Sequence, residues 1–399
     1  MKEFVFDVLH KSSMSRARRG KIVTPHGVVE TPAFVTVGTK GTVKALAPED
    51  LEKTGTQFVF ANTYHLVLSP GAEMVHKLGG VHSMSGISKP MITDSGGFQA
   101  FSLAFPDRKN MYELLPQHDD GSAEEMKRKP MAKITDDGVE FTSHIDGKKY
   151  LFTPESSIQA QQHIGADFVV AFDECIYNGA TKEYTKRSTE RTHEWALRSL
   201  ATLAGPGLKK VVPGRQQQMY GVIQGGKFKD LREMSTNFIA AQAFFGIALG
   251  GVSVGETNAE LRDEITWMMD VLHQDARPRH LLGISTLDDV LFSVKHGVDT
   301  FDCILPTRDA RIGRLYIHTP GTQQDPLKGY EAIDILKSSF KTNTEPINPH
   351  ILGSVTYAYL HHLFKQRELL AYRLASMNNL YMIEQFFAEI RKAIEEDRL

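Results

Sequence analysis

The sequence predicts an α/β protein built on a (β/α)8 barrel, with an N-terminal antiparallel hairpin, a β-hairpin insertion and C-terminal helices. Three observations predict it. Eight short, almost continuous apolar runs occupy the middle of the chain, the pattern of strands covered on both faces. Helical patterns lie between most of them, as in a parallel sheet built from βα units. The rival, a doubly wound open sheet, lacks support because no GxGxxG turn follows the first run.

Taken in order, the N-terminal stretch to about Val35 alternates apolar and polar residues around a Pro25–Gly27 turn and reads as the hairpin. The eight runs are AFVTVG from Ala33, QFVFANT from Gln57, PMITDSGG from Pro90 and DFVVAFDE from Asp167, then MYGVIQGG from Met219, GIALGGV from Gly246, HLLGIS from His280 and TFDCIL from Thr300. Among the helical patterns, PESSIQAQQHIG opens on Pro154, TKEYTKRSTERTHEWALRSLA is long and amphipathic, and TLDDVLFSVKHG has Thr286 as its N-cap. Between the third and fourth runs lies an insertion. Its first part, 106–130, is charged and irregular; its second, KITDDGVEFTSHIDGKKYLFT, holds two Asp-Gly turns between alternating strands. From about Gly313 come a short strand and helices, including TYAYLHHLFKQRELLAYRL and MIEQFFAEIRKAIEE. The expected division is 1–32, N-terminal strands; 33–312, the barrel with its insertion at 104–153; and 313–399, a C-terminal helical subdomain.

Composition narrows the function. The 399 residues are 41% hydrophobic and 24% charged, with a formal charge of −2, and the mean hydropathy is −0.27. Such a chain is neither disordered nor a bulk polycation, so nucleic-acid binding would need locally grouped basic residues. Two cysteines, Cys175 and Cys303, suit a reducing cytoplasm and cannot form a cysteine-rich metal site. The first twenty residues lack a signal-peptide core, and no run is long enough to span a membrane. A cytoplasmic protein without a membrane partner is expected.

The working face of such a barrel lies at the C-terminal ends of its strands. There the sequence puts Asp94-Ser95-Gly96-Gly97-Phe98-Gln99, Asp173-Glu174, Gln224-Gly225-Gly226, Gly250-Gly251 and Asp302. A lone strand-end aspartate often only caps a helix, and paired glycines often only turn a loop. Several such features on one barrel argue for a site. Nothing there matches a nucleotide-phosphate motif, and His144, His163 and His193 are scattered. Two carboxylates facing an anomeric carbon suit glycosyl transfer, and an Asp–Gln–backbone set suits an amide-bearing base.

DSGGFQAFSL at 94–103, FDEC at 172–175, VIQGG at 222–226, GGVSVGE at 250–256 and FDCILPTRDAR at 301–311 resemble the motifs of the tRNA-guanine transglycosylases. NTYHL at 62–66 and AYLHHL at 358–363 extend the match over nearly the whole chain outside the insertion. The resemblance implies a TIM barrel and a pentosyltransferase that exchanges guanine at the wobble position of a tRNA with a GUN anticodon for a 7-deazaguanine. It implies Asp302 as nucleophile and Asp94 as general acid/base. Ser95, Gly96, Gly97, Asp173, Gln224, Gly251 and Val252 would bind the base, with Phe98 on its face. Cys175 and Val254 match the bacterial type, which uses preQ1, a queuosine precursor; the valine fills volume that queuine's cyclopentenediol would need. Gly283, Ser285, Thr307, Arg308 and Arg311 would meet the RNA, the arginines from a loop, with Arg314 beside them.

Two other readings are open to this sequence: a non-catalytic tRNA-binding partner of an active homologue, and a glycosidase related by fold alone. Retention of Asp94, Asp173, Gln224 and Asp302 speaks against the first. The family's structural zinc site, CxCxxC before AYLHHL with a later histidine, has no counterpart in EPINPHILGSVTYAYLHHL, and Asn378 stands where the histidine would. No metal and no cofactor are therefore expected. His350, His361 and His362 read as packing or surface residues. The C-terminal helices would be held by Leu360, Leu363, Leu369, Leu374 and Phe386, and the resemblance allows either a monomer or the family's homodimer.

Overall fold

The computed structural model describes residues 4–99, 132–143, 145–205, 217–252, 254–284, 286–319 and 327–399. At the N-terminus, β1 (Val5–Lys11), β2 (Arg18–Thr24) and β3 (Gly27–Thr31) form a three-stranded antiparallel sheet. The Pro25–Gly27 turn is present between β2 and β3, but β1 adds a strand to the expected hairpin. Buried residues of β2 alternate with half-buried ones, so this sheet has one covered face.

The barrel strands follow: β4 (Ala33–Val37), β5 (Phe58–Ala61) and β6 (Met91–Thr93). Next comes the insertion sheet of β7 (Ala132–Ile134), β8 (Val139–Thr142) and β9 (Lys149–Phe152). Then come β10 (Phe168–Val170), β11 (Gln218–Ile223), β12 (Gly246–Leu249), β13 (Arg279–Leu281) and β14 (Thr300–Cys303). Eight of them close a barrel in the order β10-β11-β12-β13-β14-β4-β5-β6, one strand from each apolar run. Every residue of β4, β5, β6, β10, β12, β13 and β14 is buried, which is why these strands read as continuous apolar runs. Two last strands, β15 (Arg314–His318) and β16 (Tyr330–Asp334), pair antiparallel where the sequence suggested one.

By contact density the chain divides into two compact units. The first comprises Met1–Ala61, His82–Ile92 and Gly283–Leu399; the second Asn62–Val81 and Thr93–Leu282. In the second unit, Thr153 and Ser156 form a capping box ahead of the Pro154–Ile164 helix, whose Pro154 stands in the first turn as expected. Thr181 caps the Lys182–Ala204 helix. The insertion sheet packs Val139, Phe141 and Phe152 with Tyr64, Phe172 and Trp195 into one buried cluster. The charged part of the insertion, 106–130, lies outside the described residues.

In the first unit, Thr286 does precede the Leu287–Lys295 helix, but its hydroxyl donates to Asp289 Oδ2 at 2.5 Å instead of accepting a backbone N–H. Phe34 and Phe301 pack on Phe387 at ring separations of 6.1 and 5.7 Å. The C-terminal segment breaks at Gln366–Glu368, where Arg367 takes a left-handed backbone (φ 56°), so it forms helices Tyr357–Lys365 and Leu369–Glu395. Residues from Leu369 onward therefore belong to the last helix, and MIEQFFAEIRKAIEE is its continuation. Leu360, Leu363 and Phe386 are buried and Leu374 packs against the same cluster as Leu360. Leu369 is 81% exposed and holds nothing together, because it opens the last helix at its free end. Among the described residues no helix is long and apolar enough to cross a membrane.

Candidate active site

In the second unit, strand ends present the residues that the sequence singled out. Asp94 follows β6 directly and is partly buried. Its carboxylate accepts from the Thr63 N–H at 2.7 Å, from Gln99 Nε2 at 3.0 Å and from Asn62 Nδ2. The Thr63 hydroxyl donates to the Asp94 carbonyl at 2.6 Å. Burial pushes the carboxyl up to about 6, against the pull of those donors. An acid tuned to that range can both give and take a proton near neutrality.

Ser95 and Gln224 grip a second carboxylate. The Ser95 hydroxyl donates to Asp173 Oδ1 at 3.1 Å, and Gln224 Nε2 donates to Oδ2 at 2.8 Å. Asp173 lies three residues past the end of β10, on an irregular segment, where the sequence suggested the strand's own end. Burial raises it to about 6, opposed by the two hydrogen bonds and reinforced by the charges of Asp94 and Glu174. Gln224 is 1% exposed, and its Oε1 has no hydrogen-bond partner among the described residues. An unsatisfied buried carbonyl costs about 1–3 kcal/mol, so a ligand N–H would find a ready acceptor there.

Glycines shape the walls. Gly96 (φ +77°) leaves no room for a side chain, since a Cβ would meet the Phe152 ring at 2.7 Å. The insertion sheet thus buttresses the turn that carries Asp94. Gly97 N–H donates to Ser95 Oγ at 3.2 Å. A Cβ on Gly251 (φ +62°) would lie 2.2 Å from Gln224 Oε1. Phe98 keeps 44% of its surface exposed, so a ring face is available for stacking. Val252 and Val254 are buried, and the Val254 N–H donates to Glu256 Oε2 at 2.8 Å. Cys175 is half-buried against the cluster around Phe172 and Trp195.

The first unit holds the remaining residues. Asp302 lies within β14 and is buried; its Oδ1 accepts from the Gly283 N–H at 3.1 Å. Gly283 thereby orients the carboxylate, a role beyond the RNA contact expected of it. Thr307, Arg308 and Arg311 sit on a helix, Leu305–Arg311, which corrects the loop expected from the resemblance. Thr307 is buried and its carbonyl accepts from Arg311 Nη1 at 2.8 Å. Lys44 is pulled down by its burial and then by the charges of Arg311 and Lys40; Arg311 is pulled down by burial and by Arg308. Four cations crowd together at a cost that a polyanion would relieve. Arg314 is more exposed and lies 3.9 Å from Asp309. Ser285 lies outside the described residues.

Asn62 and Gln99, the side-chain partners of Asp94, stand in NTYHL and DSGGFQAFSL, but nothing in those motifs announces the pairing. Nor does any motif announce Arg232, which is fully buried and touches both glycine loops.

The C-terminal region does not suit zinc. Asn378 Nδ2 donates to the Tyr316 carbonyl at 2.8 Å, and Asn378 Oδ1 accepts from Asn348 Nδ2 at 3.4 Å. Buried His361 uses Nδ1 on the Ile335 carbonyl at 2.7 Å. These are neutral amides and an engaged imidazole, with no thiolate among them.

Comparison with known proteins gives one answer. A family model described as queuine tRNA-ribosyltransferase matches residues 12–399. The queuine tRNA-ribosyltransferase of Protochlamydia amoebophila is 42% identical over all of this chain and 97% of its own length. That of Roseiflexus sp. is 39% identical over 98% of this chain and 96% of its own. That of Aquifex aeolicus is 38% identical, covering 99% and 96%.

Proposed function

The chain belongs to the queuine tRNA-ribosyltransferase family, and from that premise we propose that it is a cytoplasmic pentosyltransferase that replaces guanine at the wobble position of GUN-anticodon tRNAs with preQ1. The observation that carries the base-exchange reading is the buried Ser95–Asp173–Gln224 set with its open Gln224 carbonyl. A guanine edge offers the N–H donors and carbonyl acceptor that a carboxylate and an amide can meet together.

The exchange is a double displacement. An Asp302 oxygen attacks the ribose anomeric carbon, the glycosidic C–N bond breaks, and guanine departs with a proton from Asp94. The RNA is then held as an ester of Asp302. The incoming base gives its ring N–H proton to Asp94 and attacks the same carbon, which releases the Asp302 carboxylate. One bond forms as one breaks in each half, so no outside energy source is needed. The Gly283 N–H orients the Asp302 carboxylate, while the environment of Asp94 lets it cycle. Arg308 and Arg311 contact the RNA backbone near the exchanged nucleotide.

The preference for preQ1 over queuine rests on Val254, whose buried side chain takes up room that a cyclopentenediol substituent would need. Phe98 stacks on the base, and Gly96, Gly97, Gly251 and Val252 let the backbone approach its edges.

The test is incubation of the purified protein with unmodified tRNA and labelled guanine, preQ1 or queuine. Labelled guanine and preQ1 should enter the tRNA, with queuine poorly used. Asp302→Asn should form no denaturation-resistant tRNA adduct with a base analogue, whereas the native protein does. Adduct formation by that variant would overturn the nucleophile assignment.

A further inference from the structure

Arg232 is the least expected residue of the second unit. It lies in the Lys229–Ala240 helix, in a run, KDLREMSTNF, of mostly polar residues. Its relative exposure is nevertheless 0%. All parts of its guanidinium are engaged. Nε donates to the Gly226 carbonyl at 2.7 Å and Nη1 to the Gly250 carbonyl at 2.5 Å. Nη2 donates to the Gly251 carbonyl at 2.7 Å and to Glu264 Oε2 at 2.7 Å. Glu264 is itself 2% exposed, in the Asn258–Val271 helix.

The planar fork therefore collects the glycine loop after β11 and the glycine loop after β12 at once. Its effect on the second loop follows from peptide geometry. Across a trans peptide the carbonyl and the next N–H point in opposite directions. With the Gly250 and Gly251 carbonyls turned onto the guanidinium, the N–H groups of Gly251 and Val252 are turned away from it. Gly251 could rotate these planes freely, because its left-handed backbone carries no side chain to stop it. Gln224 lies on the same glycine, with Oε1 2.2 Å from where a Gly251 Cβ would be. The amide that grips Asp173 and the peptides of 250–252 thus share one wall, and Arg232 is what fixes the orientation of the latter.

We infer that Arg232 is a positioning residue for base recognition, holding the Gly250–Gly251 and Gly251–Val252 peptide planes so that their N–H groups face the heterocycle beside Gln224. The inference rests on the base-exchange reading above. It assigns to Arg232 no contact with the base and no part in bond making. Glu264 is its counter-charge, with both side chains shut away from solvent, and burial pushes that carboxyl up to about 7 against the attraction of Arg232.

Arg232→Lys separates positioning from scaffolding. Lysine keeps the charge opposite Glu264 but offers a point donor where three carbonyls need a fork. The measurements are guanine exchange with tRNA in excess, KM for guanine, KM for tRNA and kcat. The expected result is a KM for guanine raised about tenfold or more, with KM for tRNA within about twofold and kcat within about threefold. A residue that merely held the fold would instead lower the active fraction, which cuts kcat and leaves KM for guanine alone; that result overturns the inference. If Arg232→Lys yields no folded protein, Glu264→Gln takes its place. It keeps an acceptor for Nη2 while removing the counter-charge, and should raise the same KM about threefold; an unchanged KM would overturn the inference there. Failure of the native protein to exchange guanine at all sinks the base-exchange reading itself, and is visible before any variant is made.

Discussion

The molecule fastens backbone to backbone in two chemically opposite ways. In the second unit a charged side chain, Arg232, gathers three glycine carbonyls and needs a buried Glu264 to balance it. In the first unit neutral amides do comparable work. Asn379 Nδ2 donates to the carbonyls of Pro306 at 3.0 Å and Arg314 at 2.9 Å, while its Oδ1 accepts from the Tyr316 N–H at 2.9 Å. Asn378 and Asn348 extend that network. An arginine has donors only, so it suits a place where carbonyls converge and their N–H groups must be left for something else. An asparagine offers both donor and acceptor, so it suits a strand and a helix end whose two kinds of group must all be closed off. The first side chain engages carbonyls alone; the second engages both carbonyls and an N–H. On the base-exchange proposal, the difference is that between a binding wall and a fastening.

The two regions should differ most in their response to pH. Around the base-binding wall, Asp173 is raised to about 6, so in the folded protein it is an anion above that pH and protonated below it. The anion offers both oxygens and its charge to the N–H edge of a guanine, whereas the acid turns one oxygen into a donor and binds that edge more weakly. KM for guanine should therefore be level above about pH 6 and climb by up to tenfold per unit below it. Asp94, raised into the same range, handles protons in the chemical steps and would express itself in kcat. A KM for guanine that stays level to pH 5 would remove Asp173 from base recognition.

The second effect is smaller and lies in stability. Asn379→Leu strips two donors and an acceptor from buried backbone groups while keeping the same branching at Cγ, and should cost about 1–3 kcal/mol or more in urea unfolding. Because every group involved is neutral, the loss should be equal at pH 5.5 and pH 7.5. KM for guanine should move by less than about twofold. A large change in that KM would mean that the fastening and the binding wall are energetically coupled, and the contrast drawn here would fail.

These two regions were unequally legible in the sequence. The eight barrel strands could be read because strands buried on both faces spell out as apolar runs, and Asp94, Asp173, Gln224 and Asp302 could be read because each follows or lies within such a run. Arg232 could not be read. Its partners are carbonyls, which have no signature in the residue types, and the helix that carries it looks polar. Asn62 stood in a visible motif, yet its partner Asp94 is 32 residues away, so its role needed the fold. Leu369 was misread for a related reason. The stretch TYAYLHHLFKQRELLAYRL has the period of one amphipathic helix, and the break depends on a left-handed Arg367 that no glycine announces.

The smallest expected effect concerns metal, and it follows from the amide fastening. Zinc in a structural site is held by four ligands, usually with several thiolates, and such sites supply folding free energy outright. The two cysteines of this chain stand at 175 and 303, in barrel segments, and neither belongs to the C-terminal region. There Asn378 is committed to the Tyr316 carbonyl and His361 to that of Ile335, so binding a cation would first break hydrogen bonds already made. Asn348, Asn378 and Asn379 with the packed Leu360, Leu363 and Phe386 then supply what a metal would have supplied. Treatment with a strong chelator should shift the thermal unfolding midpoint by less than about one degree, and elemental analysis should find no stoichiometric zinc. One tightly held zinc per chain, with unfolding on its removal, would show that the amides are not the fastening; the chemistry assigned to Asp302 would stand either way.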